Sequence, residues 1–225
     1  MSLIKSISGI RGTIGGKVGD NLTPLDVVKF TSAFGSWLQN NKGKKDLTLV
    51  IGRDARISGQ MVSSLVSATL QGLGIHVIDL GLSTTPTVEV MVPELGADGG
   101  IILTASHNPK QWNALKLLNE KGEFINGENG AEVLALAERE DFGYAEVDNL
   151  GKYETRGDGF AVHIAKILAL PMVDAEAVKA KKFKVVLDAV NSTGGMALPP
   201  LLEQLGCEVV KLYCEPNGHF PHNPE

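Results

Sequence analysis

The densest chemistry in the sequence is Thr104-Ala105-Ser106-His107-Asn108-Pro109, which follows an apolar run beginning at Gly99. Ser106 offers a hydroxyl nucleophile, Thr104, His107 and Asn108 can donate hydrogen bonds around it, and Pro109 turns the chain away. A buried strand ending in such a cluster delivers it to the C-terminal edge of a sheet, where open α/β sheets bind their ligands. The same residues would also make a plain polar turn between two strands. A serine hydrolase is the weaker reading. Ser106 and His107 need not face each other, a triad needs an orienting carboxylate, and the Gly-x-Ser-x-Gly elbow is absent. Ten residues on, Lys116 interrupts the apolar run Ala114-Leu115-Lys116-Leu117-Leu118. It either lies on a solvated face or is buried, and a buried lysine needs an anionic partner or a lowered pKa.

Three further segments could bind anions. Ser8-Gly9-Ile10-Arg11-Gly12-Thr13-Ile14-Gly15-Gly16 joins glycines, which permit close backbone approach, to an arginine suited to phosphate. It lacks the spacing of a Walker loop, and a flexible turn with a solvated arginine is the alternative. Gly52-Arg53-Asp54-Ala55-Arg56-Ile57-Ser58-Gly59 reads better as a structural ion-pair turn with a serine cap than as an anion site at a helix start. Asp188-Ala189-Val190-Asn191-Ser192-Thr193-Gly194-Gly195 leaves a strand for a helix, and capping is the better reading there too. Its Asn-Ser-Thr sequon carries no weight in a chain without an export signal. Cys207, Cys214, His219 and His222 lack the paired spacing of a zinc site. His76 and His163 fall in regular elements and receive no role.

The elements that must position these groups alternate along the chain. Thr23-Pro24 is a cap followed by a proline at the first helical position, and helical spacing follows through Leu38, with Lys29, Ser36 and Gln39 turned to water. Residues 47–52 read as a buried strand, 58–73 as a helix, 75–80 as a strand, and 85–95 as a helix opened by Thr85-Pro86. Residues 99–104 and 114–118 read as strands and 129–140 as a helix. Residues 153–159 read as a linker. A second unit starts with a helix over 160–170, then a strand at 183–188, a helix at 194–205 and a strand at 207–213. The alternation implies an α/β layer with a largely parallel sheet. One helix between two strands is a thin unit, so the second is expected to be incomplete.

Composition bounds the function. The 225 residues hold 26 acidic and 21 basic side chains, a formal charge of −5, and 43% are hydrophobic. That is a globular composition, and its mild acidity argues against a broad nucleic-acid face. Two cysteines form no disulfide framework, which suits a reducing, cytoplasmic setting. The first residues do not form a secretory signal, and no apolar run approaches the roughly 18–20 residues that span a bilayer.

In order, these segments resemble the α-D-phosphohexomutase superfamily, which includes phosphoglucomutase/phosphomannomutase and phosphoglucosamine mutase. Thr104-Ala-Ser-His-Asn-Pro109 is similar to its phosphoserine loop, and Trp112-Asn113-Ala114-Leu115-Lys116 to its Asn-Gly-(Ile/Tyr)-Lys, with Ala114 in place of the usual glycine. Ser8-Gly-Ile-Arg-Gly12 resembles its N-terminal Arg-Gly motif, and Gly52-Arg-Asp-Ala-Arg-Ile-Ser58 its Gly-x-Asp-x-Arg-x-Ser. Asp188 to Gly195 resembles the start of its second domain. The Trp112 context resembles the archaeal-type and bifunctional branch more than the common bacterial phosphoglucosamine mutases.

The resemblance implies an α/β fold with a mixed, mostly parallel sheet sandwiched by helices in residues 1–155. Residues 156–225 would be the first part of a second domain of the same type. It also implies an isomerase that moves a phosphoryl group between the 1- and 6-positions of a hexose phosphate, through phosphorylated Ser106 and a hexose bisphosphate. Lys116, Arg11 and His107 would assist catalysis, and Arg11, Asn108 and Lys116 would bind substrate. Mg²⁺ would bind the phosphate on Ser106, with its other ligands expected beyond residue 225, so this chain alone is expected to be inactive. Neither nucleic acid nor membrane is implied as a partner. A noncatalytic phosphosugar-binding module of the same fold is the alternative. The residues that would tell glucose, mannose and glucosamine apart are likewise expected beyond residue 225.

Overall fold

The structure is a computed structural model and describes residues 1–6, 9–44 and 46–223. Ser8 of the glycine-rich segment lies outside them. A seven-stranded sheet carries the first part of the chain. Its strands are β1 (Ile4–Ser6), β2 (Gly9–Thr13), β3 (Thr48–Arg53), β4 (His76–Leu82), β5 (Gly99–Leu103), β6 (Trp112–Leu118) and β7 (Tyr153–Thr155). Their spatial order is β1-β2-β6-β5-β3-β4-β7. The pairs β3–β4, β3–β5 and β4–β7 are parallel, whereas β1–β2, β2–β6 and β5–β6 are antiparallel. The sheet is therefore mixed, with only β1 and β6 running against the other strands.

Side-chain alternation builds one core on each face. Leu49 and Ile51 of β3, Ile101 and Leu103 of β5, and Leu115 and Leu117 of β6 face helices α1 (Pro24–Lys42), α2 (Gly59–Gly72) and α4 (Gly127–Arg139). There they join Phe30, Phe34, Leu38, Leu70 and Val133 in one cluster. The intervening Val50, Ile102 and Leu118 face α3 (Thr85–Glu94) and pack on Val88, Met91 and Val92. Sequence reading anticipated the β–α alternation but not β1 and β2, which are short and glycine-rich. The sequence also reads as a linker over 153–159. Tyr153–Thr155 is instead the edge strand β7, and its Tyr153 hydroxyl donates to Asp79.

Helix α1 begins at the expected place. Thr23 and Asp26 form a reciprocal capping box with Pro24 in the first turn. Its faces differ from expectation: Leu25 is exposed and Ser36 is buried, because α2 and α4 both pack along α1. The cap of α3 is Thr84 rather than Thr85, and it accepts from the Thr87 backbone N–H.

The second part of the chain contains α5 (Gly159–Leu168), α6 (Ala175–Lys181), β8 (Lys184–Asp188), α7 (Gly194–Gln204) and β9 (Glu208–Leu212). Strands β8 and β9 form a two-stranded parallel sheet. Helix α5 packs on α3, where His163 Nδ1 and Thr87 Oγ1 lie 3.0 Å apart. Among the described residues no helix is long and apolar enough to cross a membrane.

Candidate functional site

Strand β5 ends at Leu103, and the next residues leave the sheet at its C-terminal edge. Ser106 is exposed and holds a left-handed backbone, φ 56°. A serine there is uncommon and persists only where its surroundings impose it. The imposed conformation has an identifiable source. The Ser106 N–H donates to Thr104 Oγ1 (3.2 Å), whose hydroxyl donates to Asp54 Oδ2 (2.6 Å). Asn108 closes the turn by donating from its backbone N–H and its side-chain Nδ2 to the Ala105 carbonyl.

Arg56 holds the rest of the loop. Its side chain is fully buried, and its five N–H donors each have an acceptor. Nε donates to Asp54 Oδ2 (3.0 Å). Nη1 donates to the carbonyls of Pro109 (2.7 Å) and Trp112 (3.0 Å), and Nη2 to those of Ser106 (2.8 Å) and Asn108 (2.7 Å). The planar fork of guanidinium can satisfy so many oxygens at once, which an ammonium cannot. Burial pulls the Arg56 pKa below its ordinary value, and Asp54 opposes that pull. The ion-pair turn expected from the sequence exists, but Asp54 pairs with Arg56. The adjacent Arg53 turns to the Asp54 carbonyl and Gln60. Ser58 precedes α2 without capping it by its side chain and accepts from the buried Asn113 instead.

Two cations stand on the α3 face of the sheet. In β6, Lys116 lies opposite Ile102 and is half-buried. Desolvation lowers its pKa, Glu89 and Asp54 raise it, and Arg11 lowers it further. The burial alternative for Lys116 is thus the one realised, with Glu89 as its foremost anionic neighbour. Desolvation in turn raises the Glu89 carboxyl, and Lys116 counters that shift. The Lys116 Nζ lies 5.6 Å from the centroid of Phe124. Arg11 sits in β2 opposite Ala114, and its buried Nε has no hydrogen-bond partner in the structure.

Ser106 opens on a cleft of about 300 Å³ between the two parts of the chain. Asp54, Ser83, Thr84 and Thr104 line one side, and Val190, Ser192, Thr193 and Phe220 the other. The starts of α3 and α7 both reach it, and helix N-termini favour anionic groups. His107 is exposed beside Ser106. The segment 188–195 does not cap α7 by side chain as expected. Thr193 makes no side-chain cap, Asp188 accepts from Val190 N–H, and Asn191 donates to the His219 carbonyl. Among the described residues no three His, Cys, Asp or Glu side chains form a group able to hold a metal ion. The sequence signal for Arg56 was present in Gly-x-Asp-x-Arg-x-Ser. What it did not carry was the loop of carbonyls that the guanidinium grips.

The fold and site define an α/β layered protein with an exposed serine held at a sheet edge over an anion-friendly cleft. Residues 3–144 match the family described as phosphoglucomutase/phosphomannomutase, alpha/beta/alpha domain I, and residues 159–225 match domain II of the same description. The chain belongs to the phosphoglucomutase/phosphomannomutase family. It is 38% identical to a phosphoglucomutase/phosphomannomutase of Thermococcus kodakarensis over 95% of its own length and 47% of that protein's. It is 33% identical to a phosphoglucosamine/phosphogalactosamine mutase of Sulfurisphaera tokodaii over 93% and 44%. The crystal structure of a phosphoglucomutase/phosphomannomutase family protein from Burkholderia thailandensis superposes with TM-score 0.74 at 25% identity, covering 98% of this chain and 46% of that one. The chain thus spans about half the length of the relatives it matches.

Proposed function

We propose that this chain supplies the phosphoserine-bearing half of a hexose-phosphate mutase. Residues 1–155 would form the phosphoserine unit and 156–225 the opposite wall of the cleft. The observation that carries this reading is Ser106: exposed, left-handed, fixed by Arg56 and Asp54, and facing a cleft that two helix starts line.

In the proposed reaction, phosphorylated Ser106 gives its phosphoryl group to a hydroxyl of a hexose phosphate. The bond from phosphorus to Ser106 Oγ breaks, a bond to the sugar oxygen forms, and the hydroxyl proton passes by way of Lys116 to Ser106 Oγ, which leaves as a hydroxyl. The hexose bisphosphate turns over in the cleft. Its other phosphoryl group then returns to Ser106 Oγ, whose proton passes back by way of Lys116 to the sugar oxygen that is released. A half-buried lysine with a lowered pKa suits that exchange. Arg11, whose Nε has no protein partner, would meet phosphate oxygens, as would His107. Asn108 would shape the loop that receives the phosphate, as its two bonds to Ala105 already do.

Mg²⁺ would neutralise charge on the transferring phosphoryl group, and this chain would hold it through the phosphate on Ser106. Asp54, the carboxylate in the cleft wall, is engaged by Arg56 and Thr104 and is a poor candidate for a second ligand. Charge stabilisation dominates phosphoryl transfer, so the chain by itself would turn over little. The two free cysteines agree with a cytoplasmic setting. A coupled assay for hexose-phosphate isomerisation tests the dependence on further ligands. Negligible turnover by this polypeptide is expected, and rapid turnover would overturn that part of the proposal.

A further inference from the structure

We infer that the turn at residues 217–220 is a positioning clasp, acting through Arg56 on the loop that presents Ser106. All five guanidinium donors of Arg56 are occupied in the plane of the group. Only its flat faces remain for another group to touch. The guanidinium lies over the ring of Phe220, with Arg56 Cζ 5.1 Å from the ring centroid. A desolvated guanidinium against an aromatic face is among the stronger contacts of this kind. The backbone beside Phe220 is seated equally closely. Gly218 is buried at φ +74°, and a Cβ there would lie 2.0 Å from the Ala55 carbonyl oxygen and 3.1 Å from the Ile57 nitrogen. Only glycine lets the turn lie this close against residues 55–57.

The turn is also tied to the far wall of the cleft. Gly218 N–H donates to the Asn191 carbonyl, and Asn191 Nδ2 donates to the His219 carbonyl (2.9 Å). His222 Nε2 lies 2.8 Å from Asp188 Oδ2. Val190 and Asn191, both in left-handed conformations, lead directly to the cleft residues Ser192 and Thr193. A continuous set of contacts thus runs from the second part of the chain through Phe220 and Arg56 to the Ser106 and Asn108 carbonyls. The second part of the chain does more than close the cleft: it sets the pose of the serine loop. What the posed serine does rests on the mutase reading, but the clasp itself does not.

Hydrogen exchange on this chain tests it, read at the Arg56 Nε–H and at the amides of Ser106, Asn108 and Trp112. In Phe220→Ala these sites should exchange faster by on the order of tenfold, while the Phe34 amide in α1 keeps its native rate. Phe220→Tyr should restore native protection, and Gly218→Ala should reproduce the loss. Phe220→Leu, which keeps apolar cover without the ring, should give a smaller loss of the same pattern. Leu212→Ala, on the exposed face of β9, should change none of these sites. The inference is overturned if the loop amides of Phe220→Ala stay within about a factor of two of native, or if α1 loses protection to the same degree. Phosphate on Ser106 plays no part in the readout, so a failure here is distinguishable from a failure of the mutase reading.

Discussion

Replacing Arg56 by methionine should cost this protein about 3–5 kcal/mol of stability. The estimate follows from what the change leaves behind. The Asp54 carboxylate is buried and would lose its charged partner, keeping the Thr104 hydroxyl and the Arg56 backbone N–H. The carbonyls of Ser106, Asn108, Pro109 and Trp112 would lose a charged donor. Summed as independent bonds to a charge, at roughly 1.5–3 kcal/mol each, these would exceed the whole stability of a typical domain. That sum fails because the loop is at the surface and water can reach the freed carbonyls. The dominant loss is then the uncompensated charge of Asp54, which sets the range given. Urea unfolding followed by far-ultraviolet circular dichroism would measure it. Adding Asp54→Asn to Arg56→Met removes the stranded charge, so the double variant should be more stable than the sum of the two single losses by about 0.5–3 kcal/mol. Arg56→Lys should recover little, because a point charge cannot reach five acceptors. A loss below about 1 kcal/mol in Arg56→Met, or strict additivity in the double variant, would refute the assignment of Arg56 as the organiser of the loop.

Gly122 stands at φ +77° where a Cβ would lie 1.9 Å from the Glu89 carbonyl oxygen. Gly122→Ala should therefore destabilise by more than about 1–3 kcal/mol in the same assay, and a neutral result would mean that the turn on α3 is loose. Thr23→Ala should cost about 1 kcal/mol by opening the capping box of α1, as thermal unfolding would report. The exposed pair of His222 and Asp188 gives a pH dependence of known sign. Backbone and side-chain hydrogen bonds raise the His222 pKa, so its contribution is present below pH 6.5 and is lost as pH rises through the raised value. Bonds from Val190 and His222 lower the Asp188 pKa, so its contribution is present above pH 3.8 and is lost as pH falls through the lowered value. Asp188→Asn should lower the His222 midpoint in a proton NMR titration, and an unmoved midpoint would show that the pair does not interact in solution.

Much of this architecture was legible in the residues. Apolar β-branched runs such as Leu49-Val50-Ile51 and cap-plus-proline starts at Thr23-Pro24 are local signals, and the structure realises them where they occur. Strands β2 and β7 were not legible because their pairing is set by partners distant in sequence: Arg11 registers with Ala114, and Tyr153 with Val77. Strand β1 is only three residues long and, among the described residues, pairs with β2 alone, so it carries no apolar pattern of its own. The burial of Ser36 has the same origin, since two neighbouring helices decide it rather than the spacing of apolar residues in α1. At the site, the serine loop and Lys116 stood out by type and place. The role of Arg56 did not, because a side chain that grips four backbone carbonyls leaves no trace in the residue types it contacts. Phe220 and Gly218 lie in a proline-containing, turn-rich segment whose residue types say nothing of the Ala55 and Arg56 contacts it makes.

The central claim is that Ser106 Oγ carries phosphate. Completing this chain to the length of its relatives, incubating it with a hexose bisphosphate and Mg²⁺ and mapping its peptides by mass spectrometry tests that claim directly. One phosphate on the peptide containing Ser106, absent in Ser106→Ala, is the predicted result. An unmodified Ser106 peptide in that same protein, with phosphate elsewhere or nowhere, would contradict it.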